Sequence, residues 1–290
     1  MKPAPFEFFA PRSRDEVLEK LADYGDDARV LSGGQSLVPL MNMRIIQPRV
    51  IVSINQCREL AYIHSTNGRL VCGALTRQAE AEESAEVRQL APLLSEAMPL
   101  VGGAANRNRG TVCGSLAHAD PLAEPPAVAV ALEAELIVAS KAGRRTLSAE
   151  EFFVSELQNA MRPGEMLEEV RFPVKLGAKA AFVEVANRRH GFAVVGVAAQ
   201  ITVDGAAGCR NVRIAAIGVG ARPLRLRHAE RALEGKSVDA LLLKHVSEAA
   251  REGINPPSDI HADADYRRHM AGVLAVRAVA RIWGVAIEGT

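Results

Sequence analysis

Two short stretches of small and hydroxyl-bearing residues carry the types and spacing that suit ligand chemistry. One is Ser32-Gly33-Gly34-Gln35-Ser36. The other, Thr111-Val112-Cys113-Gly114-Ser115, lies inside the run N-R-N-R-G-T-V-C-G-S-L-A-H-A-D-P-L-A-E from Asn106 to Glu124. Small residues let backbone N–H groups approach an anion closely, and flanking hydroxyls add hydrogen bonds. Either stretch alone also reads as an ordinary turn. Together they point to a dinucleotide gripped from two sides. Asp120 and Glu124 follow closely and suit hydrogen bonds from a ligand's hydroxyl or ring N–H groups. His118 reads as a structural hydrogen-bonder, since nothing pairs it with a nucleophile. The trio lacks strong metal-ligand spacing. Neither G-x-G-x-x-G nor a lysine-bearing phosphate loop occurs, so a Rossmann site and a nucleotide triphosphatase find no support.

The elements that must position these residues follow from local pattern. Phe6 to Phe9 reads as a strand, and Ser13 with Glu16 forms a capping box for a helix that Gly25 ends. Ala28 to Leu31 is a strand running into the first glycine stretch; Leu37 to Met43 is a helical turn and Val50 to Ile54 a buried strand. This predicts a small α/β unit over residues 1–60. Residues 61–175 read as an α+β unit. It begins with a hairpin turning at Asn67-Gly68, continues through helices and the Asn106–Glu124 run, and includes the Pro125-Pro126 helix. Its last strand is Met166 to Phe172. Proline, glycine and lysine at Pro173 to Lys179 mark a boundary. Residues 178–290 read as a three-stranded antiparallel sheet, with turns at His190-Gly191 and Asp204-Gly205, followed by helices.

Composition narrows the class. The chain has 290 residues, 48% of them hydrophobic but only 4% aromatic. Its core must therefore be aliphatic and alanine-rich. Lys+Arg 35 against Asp+Glu 34 leaves a net charge of +1, which gives no footprint for nucleic acid or an anionic membrane surface. The basic run Arg222 to Arg227 reads as a solvated strand edge. Cys57, Cys72, Cys113 and Cys209 are scattered without a C-x-x-C, so the chain supplies neither an iron–sulfur nor a zinc site, nor a disulfide framework. With no apolar leader and no segment of membrane-spanning length, the expectation is a cytoplasmic protein.

Three segments in order, S-G-G-Q-S-L-V-P-L-M, the Asn106–Glu124 run and S-D-I-H-A-D-A-D-Y-R-R-H-M-A-G-V-L, resemble the FAD-binding medium subunit of molybdenum hydroxylases, the group of xanthine and carbon monoxide dehydrogenases and quinoline oxidoreductase. The resemblance covers essentially the whole chain. It implies an α+β fold in which a two-subdomain FAD-binding unit of the vanillyl-alcohol-oxidase (PCMH) type is followed by a C-terminal antiparallel sheet with helices. It further implies an oxidoreductase subunit that passes electrons from the iron–sulfur clusters of a small partner subunit through FAD to an external acceptor. The molybdenum–pterin centre would lie in a large partner subunit, and the complex would be a dimer of heterotrimers. By position, Ser32, Gly33, Gly34, Gln35, Ser36, Thr111, Val112, Cys113, Gly114 and Ser115 would hold the diphosphate. Asp120 and Glu124 would bind the ribityl or isoalloxazine groups. Leu167 would pack near the cofactor, and Phe192 would lie beside the flavin ring, preceded by the basic pair Arg188 and Arg189. No catalytic acid or base is implied. Relatives usually have T-I-G-G or T-L-G-G where this chain has T-V-C-G, so Cys113 is expected to strain the loop if its backbone has positive φ. Phe192 stands where several relatives have tyrosine, removing a hydroxyl near the ring. A self-sufficient flavin oxidase or dehydrogenase of the same fold, and a flavin-less assembly subunit, are the alternatives.

Overall fold

A computed structural model describes residues 2–188, 190–204 and 208–286. Strands β1 (Glu7–Phe9), β2 (Ala28–Leu31) and β3 (Val50–Ser53) form a parallel sheet in the order β1-β3-β2. The central strand is buried along its whole length, which is why Val50-Ile51-Val52 is a continuous apolar run rather than an alternating one. Helix Arg14–Tyr24 turns Val17, Leu18 and Leu21 onto this sheet. Ser13 Oγ accepts from the Glu16 N–H at 3.3 Å, but the Glu16 carboxylate reaches back to the Arg12 N–H instead of closing the expected box. Gly25, at φ 49°, ends the helix.

The second sheet is antiparallel, in the order β4-β5-β10-β6-β7. Its strands are β4 (Ile63–Thr66), β5 (Arg69–Gly73), β6 (Glu135–Ser140), β7 (Gly143–Ser148) and β10 (Met166–Pro173). Asn67 and Gly68 both have positive φ, 49° and 71°, the geometry of a two-residue hairpin loop that matches strand twist. A short hairpin, β8 (Phe153–Ser155) and β9 (Gln158–Asn159), lies beside it. The chain between β5 and β6 is helical and includes Pro92–Ala97, Val112–His118 and Glu124–Ala131.

The third sheet runs β11-β12-β13-β14: Ala178–Ala186, Ala193–Asp204, Gly208–Ile217 and Leu224–Arg225. The expected three strands are therefore four, because the two-residue β14 is too short to show alternation. Helix Ala264–Trp283, capped by Asp263 and ended by Gly284 at φ 84°, covers one face. The other face shares a core with the second sheet's helices, in which Phe182, Ala198 and Ile217 join Leu93, Leu94 and Val128. Burial on both faces explains nine consecutive buried residues from Ala193 to Ile201.

The basic run is also more than a solvated edge. Arg222 donates to the Glu150 and Phe153 carbonyls, and Arg227 pairs with Glu150. The Arg225 side chain, only 3% exposed, binds both Glu133 and Glu230. The contacts with Glu133, Glu150 and Phe153 stitch the third sheet to the second unit.

Candidate functional site

The two glycine stretches, far apart in sequence, meet at the junction of the first and second sheets. Ser32 Oγ lies 3.2 Å from Thr111 Oγ1. A Cβ added to Gly33 would sit 2.5 Å from the Arg109 carbonyl oxygen, and one on Gly114 would sit 2.6 Å from Thr111 Oγ1 and 3.0 Å from Ser32 Oγ. Glycine at position 33 lets one backbone lie against the other, and glycine at position 114 leaves room for the Thr111 and Ser32 hydroxyls. Gly34 takes φ 75°, turning the chain from β2 into helix Leu37–Asn42, which follows Ser36. The exposed Gln35 donates its side-chain amide to the Gly33 carbonyl at 3.3 Å.

The second stretch is not a loop. Thr111 is the N-cap of helix Val112–His118, accepting from the Gly114 N–H at 2.9 Å, and Ser115 lies within the helix. A Thr cap before small residues is a helix-start signal as much as a turn signal. The Val112 N–H is already spent on the Thr76 carbonyl at 3.0 Å. The Val112 and Cys113 side chains are buried in the core, and Cys113 Sγ faces the Cys72 carbonyl at 3.6 Å. Cys113 has no positive φ, so the expected strain is absent: its Cβ points inward, and burial pushes its thiol pKa well up. Leu167 is likewise a core residue, paired with Val138 across β10 and β6, so its side chain serves packing.

Seven helical residues place the far end of Val112–His118 about 10 Å from Thr111. There Ala119 adopts a left-handed conformation, unusual for a residue with a Cβ, and turns the chain at Asp120. Asp120 Oδ1 accepts from the Leu122 N–H at 2.9 Å. The expected hydrogen bond from His118 is not found among the described residues. Glu124 begins helix Glu124–Ala131, where a carboxylate suits the exposed N–H groups. It is nevertheless only 6% exposed. Burial, reinforced by the charges of Glu184 and Asp120, pushes its pKa up to about 8. Glu184, on β11, is pushed up to about 7 by burial, and its Oε2 is buried without a partner among the described residues. The Gly218 N–H donates to the Pro121 carbonyl at 3.1 Å, and buried Arg267 donates to the Val194 carbonyl while pairing with Asp259 at 2.7 Å. The third sheet thus buttresses the turn that carries Asp120. Phe192, 73% exposed, stands just before β12 beside the Arg188–Gly191 turn; Arg189 lies outside the described residues.

Sequence reasoning missed three participants. Asn55 donates to the Leu31 and Ser32 carbonyls, and Arg77 bridges Asn55 Oδ1 to the Arg109 carbonyl. Both are isolated polar residues with no motif around them. Glu184 sits in an apolar strand with nothing nearby to mark it. An open cleft of about 350 Å³ lies over the junction, lined by Ser32 to Gln35, Asn55 and Arg109 among others, without a carboxylate.

Comparison with known proteins identifies the family. Residues 4–175 match the FAD binding domain in molybdopterin dehydrogenase, and residues 180–282 match the CO dehydrogenase flavoprotein C-terminal domain. The chain is 37% identical to the 6-hydroxypseudooxynicotine dehydrogenase complex subunit alpha of Paenarthrobacter nicotinovorans, over 97% of this chain and 95% of that one. It is also 37% identical to the caffeine dehydrogenase subunit beta of Pseudomonas sp. (strain CBB1), covering 97% and 96%. In structure it resembles carbon monoxide dehydrogenase from Hydrogenophaga pseudoflava, with a TM-score of 0.94, 34% identity and coverage of 98% and 99%. A two-part FAD-binding fold, a matching C-terminal domain and relatives aligned end to end place this chain in the family of FAD-binding medium subunits of molybdenum hydroxylases.

Proposed function

We propose that FAD lies across the junction of the glycine stretches, its diphosphate against Ser32–Ser36 and the Thr111–Ser115 helix start, and its flavin end toward Asp120, Glu124 and Phe192. The observation that carries this reading is the backbone-to-backbone meeting of Gly33 with Arg109, under a cleft bordered by the Ser32 hydroxyl, the Gln35 and Asn55 amides and the Arg109 cation but no carboxylate. Those donors fit an anionic diphosphate. Val112, Cys113 and Leu167 contribute packing and main chain rather than side-chain contacts. About 10 Å of helix separates the anion-binding end from the acidic end, so one extended ligand can reach both.

The chain is an oxidoreductase subunit that carries FAD and passes electrons within a multi-subunit molybdenum hydroxylase. FAD supplies reversible electron uptake, while the protein binds it, orients it and sets its surroundings. No side chain here is needed as a general acid or base. The scattered, buried cysteines hold no cluster, and among the described residues no group of His, Cys, Asp or Glu could hold a metal. As in the family, iron–sulfur clusters belong to a small and the molybdenum–pterin centre to a large partner subunit. Assembly as a dimer of heterotrimers, an external electron acceptor and a cytoplasmic location complete the proposal. Among the described residues no helix is long and apolar enough to cross a membrane.

Adding FAD to the purified chain, removing the excess and recording the visible spectrum tests this reading. Flavin bands at one per chain are expected, and their absence would leave a flavin-less assembly role. Bleaching of the bound flavin by a small organic substrate, without partner subunits, would instead indicate a self-sufficient dehydrogenase.

A further inference from the structure

Two guanidinium groups converge where the glycine stretches meet, and the fold uses only one of them. Arg77 gives Nη2 to Asn55 Oδ1 at 2.8 Å and Nη1 to the Arg109 carbonyl. Asn55 gives its amide to the Ser32 carbonyl at 2.9 Å, so this chain of bonds fastens the two stretches together. The Arg109 side chain, by contrast, has no hydrogen-bond acceptor or ion-pair partner among the described residues. It is exposed and lines the cleft beside Ser32, Gly33, Gly34 and Gln35. No carboxylate lines that cleft. The two cations are close enough to feel each other: burial, and then the charge of Arg109, lower the Arg77 pKa. Like charges held together beside a cleft that no carboxylate lines repel, and a bound anion relieves that repulsion.

We infer that Arg109 is a binding residue for the diphosphate of the cofactor, pairing its guanidinium with phosphate oxygens at the mouth of the cleft. The inference rests on the reading of this cleft as the diphosphate end of the FAD site. A planar guanidinium donates two parallel hydrogen bonds to a phosphate, giving direction as well as charge. Arg109 thereby favours ligands with a diphosphate, FAD and ADP, over riboflavin, which has no phosphate. FMN, with one phosphate, falls between.

Calorimetric titration of the flavin-free full chain with FAD, ADP, FMN and riboflavin tests this, for the wild type, Arg109→Gln and Arg109→Lys, at two salt concentrations. Loss of one charge-assisted contact is expected to raise the Kd for FAD and ADP about tenfold or more in Arg109→Gln. The salt dependence of FAD binding should flatten, riboflavin binding should not change, and Arg109→Lys should recover part of the loss. Equal FAD and ADP affinities in the wild type and Arg109→Gln would overturn the inference while leaving the FAD site in place. Should the wild type bind ADP but not FAD, and Arg109→Gln lose ADP, Arg109 stands as a phosphate ligand and the FAD reading falls. A wild type that binds neither would overturn both.

Discussion

Replacing Glu124 by Gln is expected to reverse its effect on stability between acid and alkaline pH. Glu124 is 6% exposed, and its folded-state pKa is raised from 4.5 to about 8, chiefly by burial. Below pH 4.5 the folded and unfolded states both hold the proton, and the group contributes no pH dependence. Between pH 4.5 and 8 the folded state keeps a proton that the unfolded state has released, so stability falls as pH rises. At about 1.4 kcal/mol per pH unit, the loss reaches about 3 kcal/mol at pH 7 and about 5 kcal/mol above pH 8. Gln removes that loss but buries an amide with unmet donors, costing about 1–3 kcal/mol at every pH. The variant should therefore be the less stable protein at pH 5 and the more stable by about 2–4 kcal/mol at pH 9. Urea unfolding of the flavin-free chain at pH 5, 6, 7, 8 and 9 measures this directly. The wild-type midpoint should fall with pH, and the variant should keep only the smaller slope that Glu184 contributes between pH 4.5 and 7. A difference between the two proteins that stays constant from pH 5 to 9 would refute the buried, protonated carboxyl on which the reasoning depends.

Other perturbations probe the junction and the seam. Gly114→Val places a Cβ 2.6 Å from Thr111 Oγ1 and 3.0 Å from Ser32 Oγ, so it should break both the helix cap and the meeting of the stretches. The variant is expected to emerge from gel filtration without flavin absorbance but with its third sheet folded; one flavin per chain would contradict that. Cys113→Gly puts glycine inside a helix and empties a buried site. It should cost about 2–3 kcal/mol in urea unfolding, where an unchanged midpoint would count against the inward-facing side chain. Arg225→Met leaves the part-buried Glu230 without its guanidinium and breaks the Arg225–Glu133 pair to the second unit, and should cost about 3–5 kcal/mol in the same assay. A loss below about 1 kcal/mol would mean that stability does not depend on these ion pairs.

Short-range signals carried much of the fold. The hairpin at Asn67-Gly68, the cap at Ser13, and glycine at the end of helix Arg14–Tyr24 are each set by a few neighbouring residues, and each appears in the structure. Where the deciding partner is distant, local reading failed. Thr111-Val112-Cys113-Gly114-Ser115 resembled a loop because its residues are small; it is a helix because Val112 and Cys113 pack into a core built by β5 and β10. Strand β14 exists through its pairing with β13, and the contacts of Arg222, Arg225 and Arg227 with Glu133, Glu150 and Phe153 exist because the third sheet lies against residues 133–153.

What the chain alone determined is the kind of ligand. Paired glycine stretches with hydroxyls, followed by two acids, supply the donors and acceptors on which the proposed FAD contacts rest, since side-chain chemistry is written residue by residue. What only the tertiary structure decided is which of those groups face the cleft. Packing turned Val112, Cys113 and Leu167 inward, brought Asn55 and Arg77 under the junction, and buried Glu124 near Glu184. The physical reason is that burial and charge proximity depend on neighbours tens of residues away, and these set both the direction a side chain takes and the proton it keeps.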